Sequence, residues 1–380
     1  MFTSKHVVLL KSSAGNLGGL EKYAARVASG FVEKGARVSI LTTGSPKNAL
    51  VHPSISFYPV KTSPWPSFLR MEQFDGFVRK WLQAQKPDLV FGMDRNRKQT
   101  HIRAGNGVHI AYLKSRVFTE GRIKHWVCLL NPMHRKILEL EKEAFENPQL
   151  QKLFANSHMV RGQLLEHYAI DPAKIEVIHN GVEWKEMEQD FLDWEGKKRE
   201  ACARFHLDPD CFHFLFIGSG YLRKGLDRLL EGLSRLNRAD FHLSVIGKDN
   251  RMDHYYAKAV QLGLKDNVRF FGPQQETRIF YQLADVLVIP SFYDPFANVT
   301  VEALAMGLFV ISSKNNGGCE IISEKNGAVI DNLLDTDSMV EALQKSMQHR
   351  KTVRSAELAR QGVCHLDFSK QLNKLIEACG

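Results

Sequence analysis

Residues 212–226 read FHFLFIGSGYLRKGL, an apolar run that ends in a glycine loop and two adjacent cations. Phe212–Ile217 is typical of a buried strand, and a helix is predicted to follow the cations. A glycine such as Gly218 lets the backbone approach a phosphate group closely. Arg223 offers a planar fork to phosphate oxygens, and Lys224 adds a mobile point charge. The segment predicts a diphosphate site that needs no metal; the alternative is a surface turn with solvated cations.

Similar apolar runs recur along the chain and alternate with turns and helical patterns. Runs rich in Val, Ile, Leu and Phe are typical of parallel strands buried on both faces. The first series is His6–Lys11, Val38–Thr42, Ile55–Val60, Leu89–Met93, Ile110–Leu113 and Leu153–Ala155. The second series is Ile175–Ile178, Phe212–Ile217, Phe241–Ile246, Val268–Phe271, Val286–Ile289, Phe309–Ile311 and Ala328–Ile330. Apolar residues at three- and four-residue spacing predict intervening helices, such as Leu20–Lys34 and Asp227–Arg238.

Two such series predict an α/β protein with two doubly wound, Rossmann-like domains that face each other across a cleft. The first domain is expected to span residues 1–170 and the second residues 171–360. Residues 361–380 are predicted to form a C-terminal segment whose helix, at about Ser369–Ala378, packs back on the first domain. Because ligands of such sheets bind at the carboxyl ends of the strands, functional residues are expected in the loops there.

The segment DPFANVTVE, residues 294–302, is a second candidate anion site. Asn298 is predicted to cap a helix, which leaves the amides of the next two residues free at the positive end of the helix dipole. Glu302, one turn further, can accept two ribose hydroxyls, and Asp294 in the loop can reach a sugar. The alternatives are an exposed helix carboxylate for Glu302 and a turn residue before proline for Asp294.

The first predicted strand is followed by a loop with a glycine pair, Gly18 and Gly19, that opens a helix. Such a pair can lie against a phosphate or a sugar. The loop lacks the GxGxxG pattern, and the second strand ends in Thr42-Thr43-Gly44 where a dinucleotide-binding domain has an acidic residue. Both features argue against NAD as a ligand.

Candidate acceptor-side residues follow two strands of the first domain. His109 closes the glycine-rich segment Gly105-Asn-Gly-Val-His109, just before the predicted strand Ile110–Leu113, and can hydrogen-bond to a sugar hydroxyl. The alternative for a single histidine is a structural role. The further candidates are a carboxylate and five cations, for which a solvated basic loop is the alternative: Asp94, Arg95, Arg97, Lys98, Lys114 and Arg116.

The chain has 380 residues and a net charge of +9 that is unevenly distributed. Residues 1–175 hold 26 basic against 13 acidic residues, and the remainder holds 25 against 29. The basic first half predicts an anionic partner, and nucleic acid, a membrane surface and a phosphorylated glycan all qualify; a solvated face is the alternative. The six cysteines form no CxxC pair, which favours reduced thiols in a cytoplasmic protein. No stretch approaches the roughly 20 apolar residues that a membrane span needs.

Taken together, these motifs resemble the family 4 retaining glycosyltransferases, which have the two-domain fold called GT-B. The likeness covers nearly the whole chain and includes the glycine pair, Gly107-Val-His109 and His179-Asn-Gly181 besides the two donor-side segments. Within the family, the chain is most similar to the lipopolysaccharide core α-glucosyltransferases, in residues 103–113, 134–141 and 218–228. One difference stands out: Asp294 occupies the position where the family usually has Glu.

The resemblance implies roles for individual residues. Arg223 and Lys224 are expected to bind the donor diphosphate, Glu302 the ribose, and His109 to lie near the reacting carbon. The implied catalytic residues are His109, Arg223, Lys224 and Asp294. The implied donor-binding residues are Gly18, Gly19, Gly218, Arg223, Lys224, Asp294, Phe296, Ala297, Asn298, Val299, Thr300 and Glu302.

The predicted activity is the transfer, with retention, of a hexose from a nucleotide diphosphate-sugar to a glycan or glycolipid acceptor. By resemblance the donor is UDP-glucose and the acceptor the lipopolysaccharide core. No cofactor and no metal are expected, and the expected partners are the donor, an anionic acceptor and the inner face of the cytoplasmic membrane, but no nucleic acid. A nucleotide-sugar 2-epimerase of the same fold and a non-enzymatic anion-binding protein are the alternatives.

Overall fold

A computed structural model of the chain describes residues 2–11, 19–43, 52–63, 65–121, 127–128, 130–236 and 240–380, without the side chains of residues 19–22. The chain divides into two units. The first unit consists of Met1–His179 together with Lys370–Gly380, and the second of Asn180–Ser369. The chain therefore leaves the first unit once and returns to it at its end.

The first unit is built on a parallel sheet. Its strands are β1 (His6–Lys11), β2 (Arg37–Thr42), β3 (Ile55–Pro59), β4 (Leu89–Gly92), β5 (His101–Arg103), β6 (Lys152–Ala155) and β7 (Ile175–Val177). Within the described residues these seven strands lie in the order β3-β2-β1-β4-β5-β6-β7. The helices are α1 (Gly19–Glu33), α2 (Ser67–Gln85), α3 (His109–Ser115), α4 (Val117–Glu120), α5 (Pro132–Phe145) and α6 (His158–His167), followed by a 3₁₀ turn at Pro172–Lys174.

Both faces of this sheet are covered, which explains the continuous apolar runs. Val7 and Leu9 of β1 belong to a buried cluster with Phe31 of α1 on one face. Val8, which points to the opposite face, belongs to a separate cluster with Phe74 of α2. Successive strand residues point to opposite faces, so a strand covered on both sides needs an apolar residue at nearly every position.

The second unit repeats the design. Its strands are β8 (Phe212–Ile217), β9 (Phe241–Ile246), β10 (Val268–Gly272), β11 (Val286–Ile289), β12 (Phe309–Ser313) and β13 (Gly327–Ile330). In the part of this unit that the structure describes, they form a parallel sheet in the order β10-β9-β8-β11-β12-β13. The helices are α7 (Glu188–Leu192), α8 (Trp194–Phe205), α9 (Tyr221–Lys224), α10 (Leu226–Ser234), α11 (Met252–Gln261), α12 (Arg278–Leu283), α13 (Asn298–Ala305), α14 (Thr336–Ser346) and α15 (Val353–Gly362), with 3₁₀ turns at Gly317–Ile321 and Cys364–Leu366. Among the described residues, no helix combines the length and apolar character that crossing a bilayer requires.

The last helix, α16 (Phe368–Ala378), completes the core of the first unit. Leu375 and Ile376 are buried in the same cluster as Phe31 of α1. Gly30 of α1 lies directly against α16, because a Cβ at this position would be 2.4 Å from Cδ1 of Ile376. The helix predicted at about Ser369–Ala378 agrees with α16, whereas the start of the segment 361–380 holds the end of α15 and the 3₁₀ turn Cys364–Leu366.

The predicted strand Ile110–Leu113 is also wrong, because these residues belong to α3. Gly107, with a φ of +69°, turns the chain, and Val108 is extended at the position before the first helical residue. The place next to β4 in the sheet is taken by β5, which pairs with both β4 and β6. With only three residues, His-Ile-Arg, β5 is too short and too polar to stand out as an apolar run.

The strand predicted at Ile175–Ile178 exists as β7, but it belongs to the first sheet and not to the second. Its residues pair with β6, so that β7 forms an edge of the first sheet. The expected boundary at residue 170 therefore falls too early, and the structure divides the chain between His179 and Asn180. The sheet to which an edge strand belongs depends on the strand with which it pairs. The order of apolar runs along the sequence does not reveal that pairing.

Candidate active site

Three glycines shape the carboxyl end of β8. Gly218 follows the strand, and a Cβ at this position would lie 3.2 Å from Cγ of Lys224. Gly225 has a φ of +77°, and its Cβ would lie 2.0 Å from the carbonyl oxygen of Pro290. Gly247 has a φ of +128°, and its Cβ would lie 2.0 Å from the carbonyl oxygen of Gly218. At Gly225 and Gly247 only glycine tolerates both the positive φ and the close backbone contact, which lets the loops after β8, β9 and β11 meet.

Arg223 and Lys224 both contact Asp294 in this region. Nζ of Lys224 lies 2.5 Å from Oδ2 of Asp294, and Nη1 of Arg223 lies 3.1 Å from the same oxygen. Nη1 of Arg223 also donates a hydrogen bond of 2.9 Å to the carbonyl of Tyr293. Lys224 and Asp294 are buried, whereas the Arg223 side chain is 38% exposed. The structure thus brings together three predicted site residues from two distant segments.

The surroundings of Asp294 keep its side chain ionised. Burial by itself raises the pKa of a carboxyl group, but the charges of Lys224 and Arg223 outweigh it and hold the pKa of Asp294 below its usual value. The backbone of Asp294 is fixed as well. Its amide donates to the carbonyl of Asn315 at 3.0 Å, and its carbonyl accepts from the amide of Gly317 at 2.9 Å. The carboxylate is therefore held where the two cations reach it.

The start of α13 differs from the prediction in two respects. Ala297, and not Asn298, is the residue before the first helical position, and its backbone is extended. The amide of Ala297 donates a hydrogen bond of 3.0 Å to Oδ1 of Asn316. The carbonyl of Ala297 accepts from the amide of Thr300 at 3.0 Å, so this amide is not available to a ligand as predicted. Asn298 is exposed, and its Oδ1 accepts from the side chain of Asn180 at 2.6 Å.

Asn316 is a residue of this region that the sequence analysis missed. Its Oδ1 accepts from the amides of Ala297 and Gly318, each at 3.0 Å. Its Nδ2 donates to Oγ1 of Thr300 at 3.2 Å and to Oγ of Ser312 at 2.9 Å. The side chain is fully buried, and these four bonds use the hydrogen-bonding capacity of an amide. In the sequence, Asn316 follows a strand and precedes a glycine pair, which is a pattern typical of a turn. The sequence gives no other sign of this role.

Glu302 lies in α13, and its Oε2 accepts a hydrogen bond of 2.7 Å from the hydroxyl of Tyr281. Among the described residues, the side chain of Glu302 forms no other hydrogen bond, so Oε1 has no hydrogen-bond partner there. Burial raises the pKa of Glu302 by more than the bond from Tyr281 and the charge of Arg278 lower it. The sequence analysis did not identify Tyr281. Of the other predicted donor residues, Phe296 is buried before α13 and Val299 is partly exposed in its first turn.

His109, in the first unit, is the first residue of α3. Its amide donates to Oε2 of Glu141 at 2.9 Å, and its Nε2 lies 3.0 Å from Nδ1 of His134. Burial, together with the nearby charges of Arg95, His134 and Arg116, lowers the pKa of His109 to about 3. The imidazole is therefore neutral at physiological pH.

Four of the five predicted acceptor-side cations have carboxylate partners inside the first unit. The pairs are Arg95 with Glu141, Arg97 with Glu72, Asp75, Glu139 and Glu143, Lys114 with Glu166, and Arg116 with Glu120. Arg97 thereby joins α2 to α5, which is a structural role that the sequence did not indicate. Lys98 is exposed and has no ion pair among the described residues.

Asp94 and Arg95 line a pocket at the carboxyl ends of β4 and β5. The other polar residues that line it are Gln99, Arg103, Asn106 and Glu141. Glu141 is buried and also accepts a hydrogen bond of 2.8 Å from the hydroxyl of Tyr168. The walls of this small pocket thus carry carboxylate, guanidinium and amide groups.

The predicted glycine pair of the first unit is described only in part. Gly18 lies outside the described residues, whereas Gly19 is the first residue of α1. The predicted helix Leu20–Lys34 agrees with α1 to within one residue at each end.

The sequence matches two protein-family models, one for each half of the chain. The model Glycosyltransferase Family 4 matches residues 17–185, and the model Glycosyl transferases group 1 matches residues 198–361. A D-inositol 3-phosphate glycosyltransferase of Paenarthrobacter aurescens is 27% identical over 92% of this chain and 90% of its own length. The lipopolysaccharide glucosyltransferase WaaG of Escherichia coli is 23% identical over 87% of this chain and 86% of its own length.

Solved structures share the fold over nearly the full length of the chain. The crystal structure of WaaG, a glycosyltransferase involved in lipopolysaccharide biosynthesis, superposes with a TM-score of 0.79 at 21% identity, over 98% of this chain and 99% of that one. Anabaena Alr3699/HepE in complex with UDP-glucose has a TM-score of 0.69 at 16% identity, over 98% of this chain and 99% of that one. With a family model on each half and two Rossmann-like parallel sheets, the chain belongs to the family 4 glycosyltransferases and has the GT-B fold.

Proposed function

We propose that this glycosyltransferase transfers glucose from UDP-glucose to a hydroxyl group of a glycan or glycolipid acceptor, with retention of the anomeric configuration. The observation that carries the proposal is the meeting of Arg223 and Lys224 with Asp294. In doubly wound sheets the ligand binds at the carboxyl ends of the strands, and two cations at that edge match a diphosphate. The names of WaaG and the HepE complex support glucose and UDP as the first donor to test.

The donor site is proposed to work as follows. Arg223 and Lys224 bind the diphosphate oxygens, and the glycine backbone at Gly218 allows the phosphates to approach. Oε1 of Glu302 accepts the ribose hydroxyls, while Tyr281 holds the other oxygen of the carboxylate. Asp294 and the backbone at residues 296–298 hold the transferred sugar.

We favour attack of the acceptor hydroxyl from the side on which the diphosphate leaves. Retention by double displacement uses a carboxylate nucleophile. It also needs a second carboxyl group as the acid, and within the described residues the side chain of Asp294 is bonded to Lys224 and Arg223 and not to a second carboxyl group. Arg223 and Lys224 instead stabilise the charge that develops on the leaving diphosphate, which can accept the acceptor's proton. Because these two cations supply the positive charge, we propose that transfer needs neither a metal nor another cofactor.

For the acceptor, we propose a glycan or glycolipid, such as the lipopolysaccharide core, bound by the first unit. Asp94 and Asn106, which line the pocket at the carboxyl ends of β4 and β5, supply hydrogen-bonding groups for sugar hydroxyls. The neutral His109 is proposed to lie near the reacting carbon. The basic first half of the chain supports a cytoplasmic protein that binds the anionic inner face of the membrane peripherally. Association with anionic vesicles that does not weaken in rising salt would count against this account.

A transfer assay tests the proposed function. The purified protein is incubated with UDP-, GDP- or ADP-glucose and a truncated lipopolysaccharide core, in buffer with EDTA. We expect mass spectrometry to show one added hexose with UDP-glucose, and NMR to show an α linkage. A β linkage, or loss of activity in EDTA that added metal restores, contradicts the mechanism. Conversion of UDP-GlcNAc to ManNAc without an acceptor would favour the epimerase instead.

A further inference from the structure

Asp294 occupies the two cations that the donor diphosphate is proposed to use. Nζ of Lys224 and Nη1 of Arg223 converge on a single carboxylate oxygen, at 2.5 and 3.1 Å. A phosphate group that binds both cations therefore either displaces this carboxylate or shares the two positive charges with it.

The Asp294 carboxylate is buried and its position is fixed. Asp294 is only 8% exposed, and hydrogen bonds on both sides fix its backbone to residues 315 and 317. Hydrogen bonds to charged groups are stronger than those between neutral groups, and buried ones are little screened by salt. An incoming phosphate thus meets a Lys224 whose charge is already paired with a buried carboxylate.

We propose that Asp294 is an internal counter-ion that competes with the product diphosphate for Arg223 and Lys224, and so favours release of the nucleoside diphosphate after transfer. The proposal rests on the proposed function, because it assumes that a nucleotide sugar is the substrate. It gives Asp294 a role in addition to the sugar contact that the family resemblance implies.

The Asp294 carboxylate competes differently with the nucleotide-sugar donor and with the nucleoside diphosphate product, because the two present different groups to it. A nucleotide sugar presents hydroxyl groups to Asp294, so the displaced carboxylate gains new hydrogen-bond donors. A bare nucleoside diphosphate presents a terminal phosphate, which repels the carboxylate and offers it no donor. The same side chain therefore assists binding of the donor and opposes retention of the product. Product release limits the turnover of many enzymes, so this difference bears directly on kcat.

The test compares Asp294→Asn with the wild type, since asparagine has the same shape without the charge. Binding of inorganic pyrophosphate and of UDP is measured by calorimetry on the full chain. We expect both to bind Asp294→Asn about tenfold or more tightly, the factor that corresponds to loss of one competing charged hydrogen bond. Asp337→Asn is the matched control, because it removes one negative charge from an exposed site of the same unit that pairs with Arg235. This control should bind both ligands as the wild type does.

Equal or weaker binding of pyrophosphate by Asp294→Asn overturns the counter-ion role, as does the absence of pyrophosphate binding in both proteins. Tighter pyrophosphate binding without any UDP binding supports the counter-ion role and contradicts the proposed function. A crystal structure of the wild type with pyrophosphate serves if the variant does not fold. We expect a phosphate oxygen on Nζ of Lys224 and the Asp294 carboxylate moved away; an intact Asp294–Lys224 pair overturns the proposal.

Discussion

Two carboxylates of the proposed donor site, eight residues apart, have opposite electrostatic surroundings. Asp294 lies against Lys224 and Arg223, which hold its pKa below the usual value. Glu302 is half-buried beside a neutral hydroxyl, and the loss of solvent around it raises its pKa. The first is therefore suited to act as a fixed negative charge. The second is suited to accept hydrogen bonds from neutral groups such as the hydroxyls of a ribose.

Glu302→Gln tests this division of roles. The substitution leaves one carbonyl oxygen and replaces the other acceptor by an NH₂ group, so the ribose loses an acceptor. We expect UDP to bind about tenfold more weakly, as for loss of one hydrogen bond to a charged group. Pyrophosphate, which has no ribose, should bind as to the wild type in the same calorimetric titration. An equal loss for both ligands would show that Glu302 supports the phosphate site and not the ribose.

Lys351 offers a pH-dependent test of the second unit. Its Nζ donates to the carbonyl of Tyr281 at 3.2 Å and lies 4.5 Å from the ring centroid of Trp194. Burial and the charge of Lys198 lower the pKa of Lys351 to about 7, although the charge of Asp285 opposes them. Between pH 7 and its unfolded pKa near 10.5, the unfolded chain binds a proton that the folded protein does not. Stability from this group therefore rises with pH over that range.

Lys351→Met removes the titrating group and keeps most of its volume. We expect the unfolding free energy of the wild type, relative to that of the variant, to rise with pH from 7 to 9. The slope should approach about 1.4 kcal/mol per pH unit. Urea unfolding at pH 7, 8 and 9 measures it. A difference that stays constant over this range would mean that Lys351 is protonated in the folded protein.

At the scale of strands and helices, the sequence predicted long elements well and short ones poorly. Phe212–Ile217 and Phe241–Ile246 agree with β8 and β9 at both ends, because every position of these strands is buried and most are apolar. The apolar run Ile110–Leu113 suits a strand or a helix equally, and the turn at Gly107 decides for α3.

The residues of the candidate site were likewise predictable only in part. Arg223, Lys224 and Asp294 were predictable, because they follow strand ends in the sequence. Asn316 and Tyr281 were not, because their roles depend on contacts with residues 16 to 21 positions away. The pairing of Asp294 with the cations also depends on the close approach of the β8 and β11 loops, which no single segment encodes.

Gly225→Ala tests that close approach, and Gly220→Ala is its matched control. Both glycines have a positive φ, +77° and +73°, so alanine strains the backbone at both. Only at Gly225 does a new Cβ meet a backbone atom, the carbonyl oxygen of Pro290 at 2.0 Å. We expect Gly220→Ala to cost about 1–2 kcal/mol in unfolding free energy. Gly225→Ala should cost clearly more and should weaken pyrophosphate binding; equal costs in urea unfolding would contradict the contact.

For the whole molecule, the division into units does not follow the chain order. The first unit takes its edge strand β7 from beyond the predicted boundary and its helix α16 from the C-terminus. The sequence indicates that both elements exist, since their apolar patterns are local. It does not indicate which core they join, because that depends on pairing with residues far away in the chain.

Leu375→Ala tests the assignment of α16 to the first unit. Leu375 is 1% exposed in the cluster with α1, so its truncation should cost about 2–5 kcal/mol. Hydrogen exchange should show lower protection in β1 and α1, while β8 in the second unit keeps its protection. Lys374→Ala, at the neighbouring exposed position, is the control and should change neither. Loss of protection in β8 alone would contradict the assignment.

The central claim is that Arg223 and Lys224 stabilise the diphosphate of a sugar donor, and the rate of transfer by Arg223→Ala tests it most directly. Arg235→Ala is the control, because Arg235 is an exposed arginine of the same unit that pairs with Asp337. With UDP-glucose and a truncated core acceptor, we expect Arg223→Ala to lower the transfer rate by at least about 10²-fold, as for loss of one well-placed electrostatic group. Arg235→Ala should transfer at the wild-type rate. Transfer by Arg223→Ala at a rate close to that of the wild type would contradict the account.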